Sequence, residues 1–169
     1  LASDPAAAES LLRQAMHLAP ANAHAYMALA ALQQKQQQHA QALDTLMQAA
    51  RAVPLAVPLM SSQLATLAGE QQRQNDVLPL LREHYEQAGS LDVLEALIQL
   101  EAHAPGSQTL PQAERYAQHL EREPSLTVAS RWIRHEALTH EAHRGAFQRA
   151  LDRAAQPLQR YRCAACGFE

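Results

Sequence analysis

The sequence predicts an all-α fold, an α-solenoid of antiparallel helix pairs, and three observations carry that expectation. The first is composition. Of 169 residues 47% are apolar, much of that alanine, while aromatics make up 4% and there are only 5 glycines. Leu, Ala, Gln, Glu and Arg dominate, which favours helix and close helix–helix approach over strands. The second is a repeat. "AAAESLLRQAMHLAP" and "QALDTLMQAARAVP" align at an offset of 34 residues, setting Ala8 on Ala42, Leu12 on Leu46, Ala15 on Ala49 and Pro20 on Pro54. A fixed period of that size marks stacked helix–turn–helix units. The third is rhythm: apolar residues recur at helical spacing along the body, between Pro, Gly and Ser punctuation.

Taken in order, Asp4-Pro5 reads as an N-cap and first-turn proline opening the first helix. "AHAYMALAALQQ" places Tyr26, Leu29 and Ala30 on one face at i, i+3 and i+4. In the helix that follows, Ala42 and Ala49 let two helices approach closely, Leu46 fills the gap and Pro54 ends the run. The polar stretch "QQKQQQHAQ" is the turn between Leu32 and Ala42. The period, together with the aromatic-x-x-Leu-small pattern, makes Ala23 to Pro54 a tetratricopeptide-type unit. The first helix is then the second half of a unit whose first half is missing, so the first repeat is incomplete.

"AVPLMSSQLATLAGEQQRQ" and "DVLPLLREHYEQAG" form the next pair, closed by Gly89 as a C-terminal cap, although Leu78, Leu81, Tyr85 and Gly89 also fit a first helix. "LDVLEALIQLEAHAPG" pairs with "LPQAERYAQHLERE" across Pro105-Gly106, and "SLTVASRWIRHEALTHEA" pairs with "RGAFQRALDRAAQ", opening at Ser125 as N-cap. That makes nine helices and no strand in the body.

The same composition excludes several functions. A net charge of -3, with no Lys/Arg stripe, predicts no attraction to nucleic acid. No run approaches the roughly 18 apolar residues of a membrane span, and no signal peptide opens the chain. Both cysteines, Cys163 and Cys166, fall in the final seven residues, so no disulfide framework holds the body and a reducing compartment is expected.

Those cysteines stand in "RYRCAACGFE". A two-residue gap lets both sulfurs bind one ion, and Gly167 lets the backbone turn its N–H groups toward the thiolates. Tyr161 and Phe168 flank the pair. This is the grammar of a rubredoxin or zinc-ribbon knuckle, half of a four-thiolate set that accepts iron or zinc. A thioredoxin-type redox role would need a preceding strand and a helix behind the first thiolate, and neither is expected here.

The order of parts is a resemblance in itself. Degenerate tetratricopeptide pairs, then "EREPSL", then "RYRCAACGF" with almost no linker, resemble the lipopolysaccharide assembly protein B family of Gram-negative bacteria. The resemblance runs from the repeats to the last residue, and "YRC-x-x-CGF" is its most specific part. It implies an inner-membrane protein with an N-terminal anchor, repeats on the cytoplasmic side and a C-terminal rubredoxin-like metal domain. It implies an adaptor that presents the deacetylase of the committed step of lipid A synthesis to a membrane-bound AAA protease. The anchor, the early repeats and a second cysteine pair are not in this sequence, so the resemblance makes it a central to C-terminal fragment. Residues 1–159 would be repeats and 160–169 the truncated rubredoxin-like knuckle, with Cys163 and Cys166 two of four metal ligands.

Other motifs yield less. In "RHEALTHEAHR", His135 and His140 are five apart, about 140° around a helix, so they cannot form the one-face histidine pair of a zinc protease. Trp132 reads as core, against Leu138 or Phe147. A clamp for acidic C-termini needs Lys and Asn where this unit has Met27 and Ala31. The groove side of the best repeat, His24, Met27, Ala31 and Gln34, is the expected protein-partner surface. No nucleophile, base and pocket come together for a thiol- or metal-dependent enzyme. A general tetratricopeptide scaffold with an unrelated zinc ribbon stays the alternative. A homodimer has two routes, through the unpaired first helix or by pooling cysteines from two copies.

Overall fold

The structure, a computed structural model, describes residues 5–102, 110–136 and 141–156. Every regular element among them is helical. The chain divides into two compact units, Leu1–Pro105 and Gly106–Glu169.

The first unit holds α1 (Pro5–Leu18), α2 (Ala23–Lys35), α3 (His39–Ala52), a single 3-10 turn (Pro54–Ala56), α4 (Val57–Glu70), α5 (Gln74–Ala88) and α6 (Leu91–Glu101). Asn22 caps α2, its side-chain oxygen accepting from the His24 amide at 3.1 Å. Pro54 stops α3 because it has no N–H to continue the ladder. Gly89 ends α5 at φ 64°, the left-handed conformation that glycine adopts without a Cβ clash.

One turn recurs, each time around a Gln-Gln pair, Gln36-Gln37 and Gln71-Gln72. After α2, the Gln38 amide donates to the Gln33 carbonyl at 2.8 Å, and Gln37 sits at φ 63°. After α4, the Arg73 amide donates to the Ala68 carbonyl at 2.8 Å, and Gln72 sits at φ 55°. Both are Schellman closures with glutamine in the left-handed position. The shared turn makes α4–α5 the same kind of hairpin as α2–α3, which settles the pairing that Leu78, Leu81 and Tyr85 leave open. Then α6 lies beside α4 and packs on α5 as well, the place of the next first helix. There α6 contributes Val93, Ala96, Leu97 and Leu100 to the core of the first unit.

The core of this unit runs through Tyr26, Leu43, Leu46, Met60, Leu64, Leu81 and Leu97. Ala30, Ala42, Ala49 and Ala68 are fully buried at the helix contacts, where a side chain of one methyl lets the backbones come together. One polar pair is enclosed: Thr45 on α3 donates to the Gln33 side-chain oxygen on α2 at 2.8 Å. The glutamine tract is thus more than a turn, since Gln33 follows Tyr26, Leu29 and Ala30 on the buried face of α2. Across helices, Arg73 pairs with Asp44 and Arg82 with the buried Glu101, each at 2.7 Å.

The second unit holds α7 (Gln112–Arg122), α8 (Leu126–His135) and α9 (Glu141–Ala155), with α8 packed against both others. Ser125 is the N-cap of α8, accepting from the Val128 amide at 3.2 Å. Asp152 gathers Ser130 and Gln148 side-chain donors, at 2.5 and 2.9 Å, and joins α8 to α9. Those hydrogen bonds hold the Asp152 carboxyl below the usual carboxylate range. His135 stacks on Tyr116, centroids 5.6 Å apart, and burial followed by the Arg134 and Arg131 charges lowers its pKa. Trp132 is half-buried, its ring N–H donating to Glu136 at 3.1 Å. The expected neighbours Leu138 and Phe147, with Asp4, Pro105-Gly106 and His140, lie outside the described residues or side chains.

Candidate partner-binding surface

The four groove residues expected from sequence lie along one stripe of α2, because offsets of 3, 7 and 10 residues from His24 return to nearly the same angle. The opposite face, with Tyr26, Leu29, Ala30 and Gln33, is buried. The Asn22 cap fixes the first turn, where His24 is exposed, while Met27, Ala31 and Gln34 are half-buried. Met27 rests against the core with part of its side chain open. The Gln34 amide nitrogen is shielded from water without a hydrogen-bond partner among the described residues. The stripe therefore offers a soft apolar patch with polar ends and no fixed charge. Met27 and Ala31 supply neither the Lys nor the Asn that a carboxylate clamp requires.

A second feature was not singled out from sequence. A cavity of about 250 Å³ opens between α3 and α5, floored by Ala50, Pro54, Val57 and Leu80. Arg51 and Glu83 stand at its edge, and His84 lines it. His84 is 8% exposed, and its Nε2 is shielded without a partner among the described residues. Its spacing from Val77 and Leu81 is the trace it leaves in the sequence, because i, i+4 and i+7 form one buried stripe of α5.

Burial lowers the His84 pKa from its ordinary value. The folded form therefore takes up a proton later than the unfolded chain, whose histidine titrates near ~6.5. Above that pH the two states bind alike. As pH falls through it the unfolded state gains the proton first, and stability is lost until the folded pKa is reached. Chemical unfolding at pH 7.5 and 5.5 should show a smaller acid loss for His84→Gln than for the parent chain. Equal losses in both would place the acid sensitivity elsewhere.

The other predicted site residues, Cys163 and Cys166, lie outside the described residues. Among the described residues no group of three or more His, Cys, Asp and Glu side chains converges as a metal site.

The repeated turn, the buried alanines and the side-by-side first helices describe a known repeat. Residues 1–67 match the tetratricopeptide repeat family. That span covers α1 to α3 and most of α4, and the shared Schellman turn carries the same hairpin on to α5. No curated protein matches the chain. Tetratricopeptide repeats stack into surfaces that hold protein partners, and the α2 stripe lies on such a unit. No described helix is long and apolar enough to cross a membrane.

Proposed function

We propose that this chain is a non-catalytic adaptor that regulates lipopolysaccharide synthesis on the cytoplasmic side of the bacterial inner membrane. In this reading it brings the deacetylase of the committed lipid A step to a membrane-bound AAA protease. The tetratricopeptide match over residues 1–67 supports the scaffold part of the reading. The order of repeats, "EREPSL" and "YRC-x-x-CGF" supports the rest. The observation that carries the site is the α2 stripe, an apolar patch open to a partner on a helix whose other face is buried. Met27→Glu with Ala31→Glu should weaken binding of the purified deacetylase at least about tenfold, because two desolvated carboxylates would face an apolar partner. Helicity and melting should hold. Unchanged binding by a folded double variant moves the interface elsewhere, and no binding by the parent chain to deacetylase or protease overturns the adaptor assignment.

The knuckle is a separate element of the proposal. Cys163 and Cys166 would hold iron or zinc as half of a tetrahedral thiolate set, completed by a second cysteine pair. The chemistry supplied is structural, since binding free energy at such a site is folding free energy. In protein carrying the complete set, Cys163→Ser with Cys166→Ser should abolish bound metal by elemental analysis and lower the melting temperature. Retention of both metal and melting temperature would remove these cysteines from the site.

A further inference from the structure

The cavity between α3 and α5 belongs to the second helices of two successive hairpins, and no residue of the α2 stripe lines it. Its volume of about 250 Å³ falls below the roughly 300 Å³ at which small-molecule pockets begin. It suits a single large apolar side chain. The floor of Ala50, Pro54, Val57 and Leu80 is apolar, and Leu55, next to Pro54 on the 3-10 turn, is 89% exposed.

The charges at the edge narrow the occupant. Arg51 comes from α3 and Glu83 from α5, and among the described residues neither forms an ion pair. Elsewhere in this unit facing charges do close across helices, as Arg73 with Asp44 and Arg82 with Glu101. Opposite charges held apart at the edge of an apolar recess complement a ligand that brings one charge of each sign to either side of an apolar group.

We infer that this recess is a docking site for a partner protein's peptide segment in which one apolar side chain is flanked by an acidic and a basic residue. The apolar side chain fills the cavity, the acid meets Arg51 and the base meets Glu83. This goes beyond the adaptor reading by adding a second contact face, and it does not depend on the α2 stripe.

The test is selection of a random dodecapeptide library on the 169-residue chain, followed by fluorescence polarisation with one blocked synthetic peptide of the enriched motif. Enrichment of apolar residues between opposite charges is expected. Arg51→Glu and Glu83→Lys should each weaken the synthetic peptide about tenfold, because each turns a partly solvated attraction into a repulsion. The combined swap should select the inverted charge order from the same library. Both residues are exposed, so circular dichroism melts should be unchanged. Met27→Glu with Ala31→Glu should leave this peptide's affinity intact, so the two faces fail or succeed separately. No enrichment, motifs without charge order, affinities indifferent to the swap, or saturation of the site by free leucine would each overturn the inference.

Discussion

Replacing Leu64 by alanine is expected to destabilise the first unit by about 3 kcal/mol, within the roughly 2–5 kcal/mol span of fully buried leucines. Leu64 is 0% exposed on α4, in the cluster that also holds Leu46, Met60 and Leu97. Truncation removes its transfer free energy and leaves a void that the neighbouring helices cannot close without shifting. Leu11→Ala is the internal control. Leu11 is 65% exposed on α1, and its truncation should change stability by less than about 0.5 kcal/mol. Urea unfolding followed by helical circular dichroism measures both. Similar midpoints for the two variants would mean that α4 is not at the centre of the core.

The second large effect runs against hydrophobicity. Ala49→Leu adds apolar volume to α3 and should nonetheless cost about 1–3 kcal/mol. Ala49 is 0% exposed at a helix contact, and the added methylenes must push the helices apart or adopt poor rotamers. Ala52→Leu makes the same chemical change at an exposed position of α3 and should be near neutral. A stable Ala49→Leu variant would show that the contact has slack, and the close-approach account of the repeat would fail with it.

Those alanines also show how far the sequence could be read. Ala42 and Ala49 stand out because the 34-residue offset aligns them with Ala8 and Ala15. A period records what each unit must do to stack, so small residues at its contacts show in one dimension. Gly89 and Ser125 are legible for a local reason: left-handed backbone and an unsatisfied helix end each call for a particular residue type. Gln37 and Gln72 escape the same logic, since a glutamine at positive φ carries no compositional signal and persists because the surrounding turn bonds hold it. Gln33 escapes too. Its polarity places it in the turn, yet Thr45 supplies a hydrogen bond from another helix and makes its burial tolerable.

The candidate sites divide along similar lines. The α2 stripe follows from helical spacing, and the structure places its four residues on the side away from Tyr26 and Leu29. The recess between α3 and α5 could not be read that way, because its floor and edge come from residues about thirty positions apart. Arg51 and Glu83 look like any solvated charges until two helices bring them to one cavity.

By itself, the sequence determined helix, the repeat period, the caps and the buried stripe of each early helix, since all depend on contacts within a few residues or on a recurring unit. Tertiary structure alone decided that α6 joins α4 and α5 and that Gln33 belongs inside. It also placed His84, Arg51 and Glu83 around one opening. Each of those depends on which surfaces meet across turns, and that is set by burying the most apolar area at the closest approach.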